Sequence, residues 1–275
     1  MSSETMNFSI PPSLQQFLTS LDSFIETQIL PLQHKNDNIR FFDHRREHAR
    51  TDWDAGGLPH ADWEALLAQA RDLADTAGFY RTALPVQYGG RADASGRGTN
   101  LWMAVIREHL AAKGLGLFND LQNEHSVVGN FPDVVMVMNY GNERQKEELI
   151  GGRLRGEDPQ HAHRPRHHLP QPLDPHTSLL GPLHHGLPIA NTFTHENRLR
   201  QAASSLGAAT YCVRSSILYS NTRRPFGTPL SHNQAIQFPL VELHTQIEML
   251  RLLIRKTALE MDAMPHAEVV LRGGG

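Results

Sequence analysis

At 275 residues the chain is long enough for one large domain or two small ones with a real core. Apolar residues make up 39% and the formal net charge is −3, so there is no electrostatic case for nucleic acid or an anionic membrane as partner. No apolar run approaches the roughly 18–20 residues of a membrane-spanning helix, no signal or transit pattern opens the chain, and the lone Cys212 excludes an internal disulfide. These features predict an intracellular protein of cytosol, mitochondrion or peroxisome, with Cys212 as a packing thiol.

The first predicted helix opens at Ser13. Its apolar positions Leu14, Phe17, Leu18, Leu21, Ile25 and Ile29 keep a 3.6-residue period until Pro31 stops it. A second starts at Asp62 and carries Trp63, Leu66, Leu67, Ala70, Leu73, Ala74 and Ala77, with Gly78 ending it. A third runs from Thr99 or Asn100 through Trp102, Val105, Ile106 and His109 to Gly114. Asn142 and Gln145 then stand three apart, the spacing of a capping box that opens a short charged helix. Turn formers fill 35–60 and 85–98.

Composition changes at 157. Pro159, Pro165, Pro170, Pro172, Pro175, Pro182 and Pro188 alternate with histidines, and neither helix nor strand periodicity survives that density of proline. An irregular connector is expected over 157–193. His163 and His167 have a spacing that zinc ligands adopt, but no cysteine or carboxylate-rich shell accompanies them, and no metal is expected.

Helical pattern returns at 194. Leu199, Ala203, Leu206, Thr210, Val213 and Ile217 form one stripe; Ile236, Leu240, Leu243, Ile247, Leu250, Ile254 and Met261 form another. Between them Arg223-Arg224-Pro225-Phe226-Gly227-Thr228-Pro229 forces a turn. Two long helices joined this way make an antiparallel pair that ends near Met264. The predicted fold is mainly α: a helical domain over 11–156, the connector 157–193, and a helix pair over 194–264, with little or no β sheet.

Three stretches carry a resemblance. Gly78 is followed by Leu84-Pro85-Val86-Gln87-Tyr88-Gly89-Gly90; Gly141-Asn142-Glu143-Arg144-Gln145-Lys146 opens a helix; Arg198, Ala202-Ala203 and Gly207 precede Arg223-Arg224-Pro225-Phe226-Gly227 and Gln234. In this order, each on its predicted element, they resemble the acyl-CoA dehydrogenase family. The resemblance covers 11–156 and about 178–264. It implies a homo-oligomeric flavoprotein that takes hydrogen from the α and β carbons of an acyl-CoA substrate, with hydride passing to FAD. By the same resemblance Arg223 reaches the flavin pyrophosphate, commonly of a neighbouring subunit, and Phe226 and Gln234 flank the adenosine half. Asn197 and Arg198 correspond to positions near the thioester and pantetheine arm. The structural alternatives for these residues are a helix-end arginine on carbonyls, a loop-anchoring aromatic, a surface amide, and a cap or ion pair.

Two parts of the family pattern are not found. One is the β-rich middle domain with its Thr-Glu-Pro and Gly-Ser-Asp signature, which walls the flavin ring. The other is the tail holding a Gly-Gly segment and, in most members, the catalytic glutamate, which would lie beyond Gly275. Other members set the base directly before the arginine; here that residue is Asn197, an amide. Glu196 stands one residue off, roughly 100° around a helix. No catalytic residue is therefore assigned. The expectation is an acyl-CoA dehydrogenase-like flavoprotein impaired in this chain. The alternatives are a non-catalytic helical remnant or oligomerisation module, or the product of an altered reading frame.

Overall fold

The structure is a computed structural model and describes residues 10–92, 98–119, 127–129, 131–150, 179–264 and 268. Helix α1, Pro12–Phe24, begins one residue before Ser13, with Pro12 in the first turn where no N–H is needed. Its stripe Leu14, Phe17, Leu18, Leu21 and Phe24 is buried. Pro31 does not end the helix. A π-helical turn, Ile25–Ile29, leads directly into α2, Leu30–His34, which contains Pro31 near its start. The wider turn displaces the carbonyls that the proline ring would strike and absorbs its missing N–H.

After two 3₁₀ segments, β1 (Thr51–Asp52) pairs antiparallel with β2 (Leu58–Pro59). Helix α3, Ala61–Thr76, is capped by His60, whose ring nitrogen accepts from the Asp62 N–H at 3.2 Å. Helix α4, Asn100–Ala111, is capped by Thr99, which accepts from the Trp102 N–H at 3.3 Å. Between them, Gly90 turns so closely that a Cβ there would meet the Leu84 carbonyl oxygen at 1.8 Å. Helices α1, α3 and α4 bury one core, with Leu21, Ile25, Trp63, Leu66, Trp102 and Ile106 inside it. Phe17 lies edge-on to Phe79 at 5.5 Å between ring centres.

Helix α5, Pro132–Tyr140, lies in a Val/Met run without helical periodicity and was not predicted. The capping box is formed as predicted. Asn142 accepts from the Gln145 N–H at 2.9 Å, and Gln145 accepts from the Asn142 N–H at 3.0 Å, opening α6, Glu143–Gln145.

Helix α7, Gly186–Thr222, starts earlier than the expected 194, with Pro188 tolerated in its first turn. Residues 179–185 are irregular, in keeping with the connector; residues 151–178, including His163 and His167, lie outside the described residues. Helix α8, Gln234–Ala263, returns along α7 and ends next to Met264, as predicted. Leu199, Ala203, Leu206, Val213, Ile247, Ile254 and Ala258 form a second core with Ala104 of α4. The crossing of α7 over α4 depends on Gly207, where a Cβ would meet the Glu108 carbonyl oxygen at 2.3 Å. The fold is mainly α, and among the described residues β1 and β2 are its only sheet.

Candidate cofactor and substrate sites

The loop between α7 and α8 is held from within. The Arg223 N–H donates to the Tyr219 carbonyl at 2.8 Å, and the Arg223 carbonyl accepts from the Leu230 N–H at 2.9 Å. Asn233 caps α8 by accepting from the Ala235 N–H at 2.9 Å. On this closed loop Arg223, Arg224 and Gln234 are exposed, and Phe226 projects wholly into solvent. Phe226 does not anchor the loop. Its backbone is held at φ 58°, a conformation that costs an aromatic residue energy. Two neighbouring guanidiniums, an aromatic face and a carboxamide therefore stand at one tip. The Arg223 guanidinium has no carboxylate partner among the described residues. A planar fork of this kind suits bidentate contact with a phosphate.

The second predicted pair lies elsewhere. Asn197 and Arg198 sit in the first third of α7, and the 26 residues separating Asn197 from Arg223 correspond to about 39 Å of helix. One chain thus presents the two sets at opposite ends of α7. Asn197 is half-buried and its carboxamide oxygen is enclosed without a hydrogen-bond partner. Arg198 is exposed. Glu196 accepts from the Arg200 guanidinium at 3.1 Å, an ion pair largely sheltered from water, so it does not stand free as a base.

A feature not anticipated from sequence adjoins Arg198. A groove of about 800 Å³ runs between α7 and α8, floored by Leu199, Leu206, Leu250 and Ile254, with His195, Arg198 and Glu260 at one end. His195 is buried, and neither ring nitrogen has a hydrogen-bond partner. The legible hint was only that His195, Arg198 and Ala202 share one helical face. Cys212, expected inside, is exposed on α7. Among the described residues there is no group of three metal-ligating side chains, and no helix is long and apolar enough to cross a membrane.

The hairpin is fixed to α4 by a charged cluster. Arg251 donates to Glu108 at 2.5 Å and to Thr210 at 3.3 Å, and pairs also with Glu248; Arg255 approaches Glu108 at 3.5 Å. Burial acts against the Arg251 charge, but the hydrogen bonds it donates to Glu248 and Glu108 outweigh that and raise its pKa.

Residues 184–272 match the family model described as "Acyl-CoA dehydrogenase, C-terminal domain". The probable medium-chain specific acyl-CoA dehydrogenase 2, mitochondrial, of Caenorhabditis briggsae is 33% identical over 88 residues, which is 32% of this chain and 22% of that protein. Isobutyryl-CoA dehydrogenase, mitochondrial, of Dictyostelium discoideum is 33% identical over 95 residues, 34% of this chain and 23% of the relative. The matched stretch thus spans less than a quarter of either relative. In three dimensions the chain superposes on butyryl-CoA dehydrogenase from Megasphaera elsdenii with a TM-score of 0.65 at 18% identity, covering 98% of this chain and 85% of the other. At that identity the likeness is one of fold. Residues 184–272 thus match the acyl-CoA dehydrogenase C-terminal domain, and the chain shares the helical fold of the solved acyl-CoA dehydrogenase structures.

Proposed function

We propose that the chain is a flavin-binding, acyl-CoA dehydrogenase-like protein whose own dehydrogenation is impaired. The observation that carries the flavin reading is the α7–α8 tip, where the unpaired Arg223, the solvent-facing Phe226 and Gln234 project together from a loop closed by its own backbone. Their chemistry fits the phosphate and adenosine half of FAD: guanidinium on pyrophosphate, aromatic face and carboxamide on the nucleoside. FAD, when bound, supplies the acceptor for a hydride. Asn197 and Arg198 would lie near the thioester and pantetheine arm of an acyl-CoA. Separation of the two sets along α7 favours a homo-oligomer in which one copy's tip serves another copy's site.

Impairment is supported by the side chains where a base is needed. An amide at 197 takes no proton, and Glu196 is engaged by Arg200. The domain division is proposed as a helical unit over 11–156 and the hairpin unit, here enlarged to begin at Gly186. The same two side chains favour a second reading, a non-catalytic helical module.

Gel filtration of the purified protein with absorbance at the flavin band tests the proposal. Co-eluting flavin that is lost in Arg223→Ala supports it; colourless protein, or flavin retained by that variant, overturns the Arg223 assignment. Anaerobic addition of an acyl-CoA panel tests impairment, because bleaching with any member contradicts it.

A further inference from the structure

The groove between α7 and α8 has no part in the flavin reading. It exists because one of the two helix faces carries little bulk. Ala202, Ser205 and Ala209 of α7, three or four residues apart, leave space that larger side chains would fill. The lining runs from His195 to Ala209 on α7, about 20 Å of helix. Helix α8 borders it in the opposite direction, from Met264 to Leu250. The shape is a trough, open along the side where Ala202, Ser205 and Ala209 are exposed. Between its ends the walls are aliphatic apart from the hydroxyls of Ser205 and Thr257, and none of the lining residues is Phe, Tyr or Trp. Such a lining suits a flexible aliphatic tail.

The charged and hydrogen-bonding groups gather at one end. Arg198 is exposed and forms no ion pair among the described residues. Glu260, on the opposite wall, is paired with Lys256 at 3.5 Å, so among these groups the Arg198 charge is uncompensated. A neutral ester or amide head would leave it so. His195 is 7% exposed, and both of its ring nitrogens are enclosed without a partner. An imidazole in that setting lacks an acceptor for its N–H, at a cost in stability until one is supplied. One carboxylate meets both needs: it brings a negative charge to Arg198, and its second oxygen accepts from His195 when the ring turns toward the trough. The nearby Glu260 carboxylate favours a head of one negative charge over a phosphate of nearly two.

We infer that the trough binds a free aliphatic carboxylate of medium length. Its head lies between Arg198 and His195, and its tail lies over Leu199, Leu206 and Ile254 toward Ala209. This site goes beyond the flavin reading and does not rest on it. Arg198 is shared with the acyl-CoA role proposed above, whereas His195, Ala202 and the α8 wall belong to the trough alone.

Isothermal titration calorimetry of the full chain with sodium dodecanoate, kept below its micelle concentration, tests the site. The expected result is saturable binding of one molecule per chain. Acetate, which has the head alone, and dodecyltrimethylammonium, which has the tail with the opposite charge, should each bind at least about tenfold more weakly. Arg198→Gln should raise the dodecanoate dissociation constant about tenfold. Ala202→Phe, which sets a ring in the trough from an exposed position, should abolish binding while helix content by circular dichroism is unchanged. His195→Phe should weaken binding about fivefold, and His195→Gln, which keeps a donor, by less. Absence of saturable binding overturns the proposal, as does dodecyltrimethylammonium binding as tightly as dodecanoate, or binding unmoved by Ala202→Phe or Arg198→Gln. A colourless protein that binds dodecanoate upholds the trough site and refutes the flavin reading; a yellow protein that does not bind it does the reverse.

Discussion

The carboxylate of Asp262, near the end of α8, accepts from the main-chain N–H of Asn100 at 2.8 Å, and it takes the Leu101 N–H at 3.0 Å and the Asn100 side chain at 3.0 Å. It closes the start of α4 from 162 residues away, satisfying orphan donors and placing negative charge at the positive end of the helix. Asp262→Ala should lower stability by about 1–2 kcal/mol, the usual cost of a lost cap. Asp262→Asn should recover most of the loss. Urea unfolding of both variants measures this.

Glu108 holds the hairpin to α4 through Arg251 and Arg255 while its own side chain is only 13% exposed. Removing it leaves two sheltered guanidiniums short of their counter-charge. Glu108→Ala is expected to cost about 2–4 kcal/mol, read as a shift of the denaturation midpoint at unchanged slope.

Gly207 lies against the α4 backbone, where a new Cβ would press on the Glu108 carbonyl and the Ala112 nitrogen. Gly207→Ala places that methyl between two main chains that have no side chain to give way. Even though alanine is the better helix former, the variant should lose about 1–3 kcal/mol. Thermal unfolding followed by circular dichroism shows the sign.

Asp22 contacts His109 at 2.7 Å and Lys113 at 2.8 Å, joining α1 to the end of α4. Burial pushes its pKa up, but the hydrogen bonds from Lys113 and His109 outweigh that and hold it below the ordinary 3.8. A depressed folded-state pKa contributes stability above the unfolded value, and that contribution is lost as pH falls through the folded one. Wild type should therefore lose stability below about pH 4 through this site, and Asp22→Asn should show a smaller acid loss. Unfolding free energies from pH 7 to pH 3 provide the comparison.

Phe226 stands fully in solvent at φ 58°, next to Gly227 at φ 88°. Glycine adopts that conformation freely. Phe226→Gly should keep or raise thermal stability, by up to about 1 kcal/mol, while weakening flavin retention. A loss of stability instead would mean that the ring anchors the loop.

Much of the helix inventory was legible because apolar spacing reports which face is buried. The stripe from Leu14 to Ile29 lies inside as its period required, and that from Trp63 to Ala74 does so with Leu73 half-buried, while Ala77 at its end is exposed. Pro31 misled because a π-helical turn accommodates the ring, and nothing in a hydrophobic pattern announces a wider turn. Helix α5 was hidden by a uniformly apolar run, and the start of α7 by prolines that a first helical turn accepts. At the tip, the residue types of Arg223, Phe226 and Gln234 singled out the proposed site. Their exposure, and the 26 residues of helix between Asn197 and Arg223, needed coordinates. Asp262 and Glu108 were invisible for another reason: their partners are about 160 and 143 positions away, beyond any local pattern.

Helix α4 is closed at its start by Asp262 and at its far end by Arg214, which donates to the Ala112 carbonyl at 2.8 Å. Both clasps belong to the hairpin, so residues made early on the ribosome wait for residues made much later. The amino-terminal helices should therefore be slow to lock and open to protease while nascent, gaining protection only once α8 has emerged.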